Sequence, residues 1–229
     1  MAFELKPVRP KDWVPFRCQL CGKCCKGVKN AIMLEPLDIY RLSRHLRAQG
    51  KQVDGTEDVL AEIAEPMMLT EAVPIFTLKA VGPEQSCVFL KDGRCSVYEA
   101  RPRACRLYPF TTKPGDRGRE FDYYLGMDRT HHFTGGTVIV KDWFYQNFSK
   151  DERAFVKADF EAAADYGQAI RQMGSERFKG MLFQFLFYRY YNYDLDQPFL
   201  PQFLANHEAI KKRIEEHSKN RGLSPGGGE

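Results

Sequence analysis

No stretch of this sequence is long and apolar enough to span a bilayer. The most apolar run, residues 181–188, is interrupted by Gln184 and stopped by Arg189, whereas a membrane helix needs about 20 predominantly apolar residues. The start, MAFELKPVRPKDW, has no apolar targeting core. Together these predict a cytoplasmic chain with no membrane partner. The signatures of several large enzyme classes are also missing. There is no glycine-rich dinucleotide loop, no Walker sequence, no G-x-S-x-G elbow and no HExxH. The Cys-x3-Cys-x2-Cys spacing of the radical-SAM enzymes is absent too. No internal repeat or coiled-coil heptad is visible. Lys and Arg give a net charge of +4 but are spread without a dense block, so nucleic acid is not expected as a partner.

What is present is enough chain for a well-buried core. The 229 residues are 43% hydrophobic and 28% charged, a balance that folds rather than stays disordered. Seventeen Phe and eleven Tyr predict a core in which large rings replace part of the aliphatic packing. Seven cysteines are an odd number, and in a reducing compartment they point to metal, redox chemistry or catalysis rather than disulfides.

The fold class expected is α+β: a small cysteine-rich, metal-centred core with short strands, then a mainly helical, aromatic-rich portion. The core is placed at residues 14–145, the helical portion packing on it at 146–218, and a disordered tail at 219–229. Residues 1–16 carry three prolines and read as an extended lead-in. Pro36 opens a helix that ends by Gly50, and residues 57–65 form a short helix limited by Pro66. Ile75, Phe76 and Leu78 suggest a strand, as do residues 87–90, with a turn at Lys91-Asp92-Gly93-Arg94. Residues 111–119 read as a polar loop. Residues 121–125 and 137–140 read as strands. Helices are expected over 151–173, 176–191 and 199–212, with Gly174 as a break.

The densest signal is Cys18-Gln-Leu-Cys21-Gly-Lys-Cys24-Cys25. Cysteines two residues apart can turn both thiolates toward one ion, and Gly22 lets the backbone approach closely and donate to sulfur. If the run were helical, Cys18, Cys21 and Cys25 would share a face and Cys24 would point away. Adjacent Cys24 and Cys25 diverge in any regular backbone, so they suit a multinuclear cluster or two different roles. The Cys-x2-Cys-x2-Cys triplet also occurs in iron–sulfur ferredoxins, but this chain does not continue their pattern. A second group, Cys87, Cys95 and Cys105, has hairpin-like spacing, and Cys87 and Cys95 could meet across the Lys91–Arg94 turn. All seven, Cys18, Cys21, Cys24, Cys25, Cys87, Cys95 and Cys105, are candidate metal ligands. No catalytic residue is identifiable.

These residues resemble the YkgJ-type cysteine-cluster family (CxxCxxCC), described as chelating zinc or iron. The match runs from Phe16 to Cys25, through Cys87-Val88-Phe89-Leu90, to the segment CSVYEARPRACRLYPF at residues 95–110. The resemblance implies metal binding and a role often labelled iron–sulfur oxidoreductase. A related domain in a flagellin lysine methylase implies protein modification as another possibility. Longer relatives carry a further Cys near Pro-Gly after the Tyr-Pro-Phe element. This chain has Asp128, His131 and His132 in that region instead, and either histidine could replace the missing ligand. A plain loop pair is the alternative.

Arg101, Arg103 and Arg106 flank the last cysteines. They could offset the charge of a thiolate cluster or hold a phosphate or carboxylate substrate, and the structural alternative is Arg101 pairing with Glu99 or Glu35. Tyr98, Tyr108 and Phe110 are expected to cover the metal. His45 reads as a surface residue and His207 as packing. Three functions follow. The first is an iron–sulfur cluster protein serving electron transfer or an oxidoreductase reaction, with a protein redox partner. The second is a structural zinc module for protein interaction. The third is a metal-dependent enzyme acting on a protein substrate.

Overall fold

The computed structural model describes residues 5–116, 118–126 and 132–219. The chain begins with strands β1 (Leu5–Val8), β2 (Trp13–Pro15) and β3 (Met33–Leu34), then helices α1 (Pro36–Ala48) and α2 (Thr56–Ile63). Short strands follow: β4 (Ala64–Met68), β5 (Pro74–Leu78), β6 (Ala80–Val81), β7 (Ser86–Cys87), β8 (Leu90–Lys91) and β9 (Arg94–Cys95). Next come helix α3 (Arg103–Leu107) and strands β10 (Phe110–Pro114), β11 (Phe121–Gly126) and β12 (Thr137–Ile139). Helices α4 (Val140–Asn147), α5 (Lys150–Met173), α6 (Ser175–Lys179), α7 (Leu182–Leu186) and α8 (Phe199–Lys219) complete the chain, with a π-helical turn at Phe187–Tyr191. The architecture is therefore α+β, with the short strands interspersed with helices in the first part and a mainly helical second part. Among the described residues no helix is long and apolar enough to cross a membrane.

Among the described strands all pairing is antiparallel and the ladders are short, and two of them, β1 with β11 and β2 with β12, join segments distant in sequence. Two three-stranded sheets have the orders β1-β11-β10 and β3-β5-β4, and three two-stranded ladders pair β12 with β2, β6 with β7 and β8 with β9. The N-terminal prolines thus lead into two strands rather than a plain lead-in. The helix expected over 57–65 stops at Ile63, because from Ala64 the backbone pairs with β5. Pro66 is tolerated there because β4 is an edge strand, where a missing N–H costs no ladder bond. Half of the expected polar loop at 111–119 is instead strand β10, also at a sheet edge.

Helix α5 starts on a side-chain cap. In α5 the Glu152 amide donates to Ser149 Oγ at 3.2 Å, and the Ser149 amide donates back to Glu152 Oε2 at 2.8 Å. Phe155, Val156, Ala162, Tyr166 and Met173 then bury one face of α5. Phe155 meets Phe199 and Phe203 of α8 edge-on, at 5.3 and 5.0 Å between ring centres. The helix expected over 176–191 is broken into α6, α7 and the π turn, at Gly180 and Met181. One hydrophobic cluster runs from Val14 to Ile210. It joins the cysteine-rich and helical portions, and the boundary expected between residues 145 and 146 falls within α4. Of the expected tail, residues 220–229 lie outside the described residues.

Candidate metal centre

The run from Cys18 to Cys25 holds no regular element except a 3₁₀ turn at Lys23–Cys25, so the helical face considered for it does not form. The run is fixed at its ends instead. Ahead of it, the Phe16 amide donates to the Gly136 carbonyl at 3.0 Å and the Arg17 amide to the His132 carbonyl at 3.1 Å. Behind it, the Gly27 and Val28 amides donate to the carbonyls of Glu84 and Gln85 at 3.0 and 2.9 Å. In the middle, Gly22 has φ +67°, and a Cβ there would stand 2.6 Å from the Gly93 carbonyl oxygen. Only glycine lets the run lie against the β8–β9 turn. Gly22→Ala combines a left-handed backbone with a backbone clash. It is expected to cost about 1–3 kcal/mol and to lower the metal bound per chain. Thermal unfolding with metal counting checks this, and a variant as stable and as well loaded as the parent would contradict it.

The other three cysteines come from three elements. Cys87 ends β7, where its sulfur accepts the Phe89 amide at 3.4 Å, the kind of N–H contact that steadies a ligating thiolate. Its partner in the ladder is Ala80, while Cys95 on β9 pairs with Leu90. Cys87 and Cys95 are therefore not ladder partners across the Lys91–Arg94 turn, although both line the same cavity. The expected strand over 87–90 is split, because Val88 turns its amide to the Lys79 carbonyl and residue 90 starts a new ladder. Cys105 lies in α3. The Arg103 amide at the start of that helix donates to Asp38 Oδ1 at 2.7 Å, and the Arg103 side chain pairs with Glu35. These contacts dock α3 on the N-terminal turn of α1.

The structure brings all seven cysteines and His132 to the wall of one cavity of about 370 Å³. Cys18, Cys21 and Cys24 are exposed, Cys25, Cys95 and Cys105 half-buried, and Cys87 buried. The Cys24 and Cys25 sulfurs are 4.0 Å apart. Cys21 Sγ lies 3.5 Å from Nε2 of the buried His132, whose Nδ1 is 3.2 Å from the Tyr108 hydroxyl. With the proton on Nδ1, Nε2 offers its lone pair on the cysteine side, the tautomer that metal-ligating histidines use. Among the described residues, no three donors are grouped closely enough to hold a single ion as they stand. His131 and Asp128 lie outside the described residues.

Tyr98 and Tyr108 line the cavity as expected, and so do Arg94 and Arg101. Phe110 does not. It packs in the core near Trp143 and Phe144. Arg101 lies 3.5 Å over the Tyr98 ring and donates to the Tyr98 carbonyl, so it pairs with neither Glu99 nor Glu35. Arg103 takes Glu35, and Arg106 pairs with Glu152. His207 sits between the Tyr166 hydroxyl and Asp165 in the helical portion, a packing role. Sequence reasoning missed the apolar wall of the cavity, formed by Val28, Ile32, Phe89 and Val97. The signal for it was the return of apolar residues directly after Gly27 and, past Ser96, after Cys95.

The surroundings hold four of the thiols, Cys25, Cys87, Cys95 and Cys105, neutral. Burial pushes Cys87 up to about 11, from an ordinary 9.0. Burial also raises Cys95 and Cys105. The Cys24 contact, then burial, raises Cys25. The Phe89 amide opposes the shift at Cys87, and the Arg101 charge opposes it at Cys95. A metal cation reverses this balance and deprotonates the thiols it binds. Each raised thiol that becomes a ligand should then release nearly one whole proton at neutral pH, so affinity falls as pH falls, on the order of tenfold per unit per thiol. Titration calorimetry in buffers of different ionisation enthalpy measures that release. Binding without net proton release would contradict it.

Residues 17–124 match the model of a family described as CxxCxxCC: putative zinc- or iron-chelating domain. No solved structure matches the chain.

Proposed function

We propose, on the premise that residues 17–124 are a CxxCxxCC domain, that the chain holds an iron–sulfur cluster in the cysteine cavity and serves in electron transfer or an oxidoreductase reaction. The observation that carries this reading is the donor set. Seven thiols and one imidazole surround a single cavity larger than one ion needs, and no three of them stand at single-ion spacing among the described residues. A group with several metal atoms uses widely placed thiolates, and it gives adjacent Cys24 and Cys25 a reason to coexist. Cys18, Cys21, Cys87, Cys95 and Cys105 are the firmest ligand assignments. Cys24, Cys25 and His132 complete the set.

A bound cluster would supply one-electron chemistry. The chain's own residues tune and shield it. The Phe89 amide and the Arg101 guanidinium favour negative charge on sulfur, and Tyr98 and Tyr108 restrict water on the cavity wall. Exposed Cys18, Cys21 and Cys24, with Leu20 58% exposed beside them, give a cytoplasmic redox partner a short path to the site. The test is the visible spectrum of anaerobically purified protein through a cycle of reduction and reoxidation. Broad absorption that bleaches and returns supports the reading. Colourless, zinc-loaded protein overturns it in favour of a structural zinc module.

A further inference from the structure

A second cavity, of about 850 Å³, lies beyond the cysteine site, and Tyr98 and Arg101 line both. Four arginines line it: Arg41, Arg44, Arg101 and Arg106. Three acids share the wall, but Glu99 and Asp151 are exposed, and only Glu152 is buried. Arg41 and Arg106 both converge on the same oxygen, Oε1 of Glu152. Two guanidinium groups share this one buried carboxylate, and the other acid that acts on Arg41, Asp38, is pushed up to about 7 by burial and so carries only part of a charge at neutral pH. Burial, reinforced by the Arg106 charge, lowers the pKa of Arg41, which fits two cations crowded together.

Neutral groups also help to arrange Arg106 and, among the described residues, alone orient Arg44 and Arg101. Arg106 donates to the Arg101 and Asn147 carbonyls at 2.8 and 3.0 Å. Arg44 donates to the Tyr40 hydroxyl at 3.3 Å. Arg101 is held flat on Tyr98 with its Nε on the Tyr98 carbonyl at 2.7 Å. Neutral oxygens orient a guanidinium without cancelling its charge, and a guanidinium fork matches the paired oxygens of a carboxylate or phosphate. The volume is that of a small-molecule site, and aromatic, leucyl and prolyl side chains supply much of the rest of the wall.

We propose that this cavity binds a small oxyanion-bearing molecule, a phosphate ester or a carboxylic acid, through Arg41, Arg44 and Arg101, with Arg106 and Glu152 fixing the floor. The site does not depend on which metal the neighbouring cavity holds. The experiment is titration calorimetry of the full chain, as purified with its metal, against inorganic phosphate and against succinate. Sodium chloride at matched ionic strength is the reference. Saturable binding of one probe is expected, and the stronger probe identifies the source of the anion. Arg44 is exposed, so Arg44→Gln should fold normally and keep the parent's metal content. Arg101→Gln is the second variant, read for anion binding only, because Arg101 also lines the cysteine cavity. Each should weaken the preferred probe roughly tenfold or more, since a charged hydrogen bond is lost. Binding no stronger than chloride, or variants that bind like the parent, would overturn the proposal. An incorrect metal assignment would appear in the metal count and leave these titrations unchanged.

Discussion

Stripping the metal under anaerobic, reducing conditions is expected to open residues 16–28 and the β6–β9 ladders to rapid hydrogen exchange while α5 and α8 stay protected. The Cys18–Cys25 run buries none of its three leading thiols and contains a single 3₁₀ turn. Backbone bonds to residues 132, 136, 84 and 85 tie its ends, and the β6–β7 and β8–β9 ladders are two residues long on each side. Two-residue ladders are not stable alone. Helices α5 and α8 instead share buried Phe155, Phe199 and Phe203. Metal binding contributes on the order of 10 kcal/mol in small cysteine-rich modules, comparable to the whole stability of a typical domain. Exchange mass spectrometry before and after chelation reads the effect. Equal protection across residues 16–28 in both states would show that the metal does not organise this region.

Replacing Glu152 by Ala is expected to destabilise the chain by about 3–5 kcal/mol, because it leaves two guanidinium groups without their shared buried carboxylate. Glu152 is 4% exposed and pairs with both Arg41 and Arg106. Its other oxygen accepts the Ser149 amide at the start of α5, so the substitution also loosens a helix cap. Desolvation raises the carboxyl, but the Arg106 hydrogen bond and charge, the Ser149 amide and Arg41 together hold Glu152 below its ordinary value. For a chain of this length the loss corresponds to a fall in Tm of roughly 10 °C. Thermal or urea unfolding measures it. A change under about 1 kcal/mol, the worth of an exposed ion pair, would mean that the two arginines find other partners.

The parts of the fold that were legible in the sequence are those with strong local signals. Helix α1 could be read from Pro36 and its apolar spacing, and α5 from its periodicity and Gly174. The Gly22 turn and the hairpin at Lys91–Arg94 also announced themselves through glycine chemistry. The short ladders were harder. Two-residue strands such as β7 and β8 carry no period, so residues 87–90 read as one strand although their pairing partners differ. Helix α4 was missed because Trp143, Phe144 and Tyr145 mimic a strand composition, while the long-range bond from Trp143 Nε1 to the Leu107 carbonyl is invisible to local reading. The same limit applies at the site. The cysteines were identifiable individually, but the approach of His132 to Cys21 links positions 111 residues apart. The convergence of Arg41 and Arg106 on Glu152 likewise joins three distant segments. The arginines near Cys105 were noticed for their charge, and their partners came from helices that no motif connects to them.

The most direct measurement for the central claim is a count of iron, zinc and acid-labile sulfide per chain in anaerobically purified protein. A cysteine-ligated iron–sulfur cluster predicts iron and labile sulfide in comparable amounts, with little zinc, and loss of both when Cys87 or Cys105 is replaced by Ser. Stoichiometric zinc without labile sulfide would contradict it.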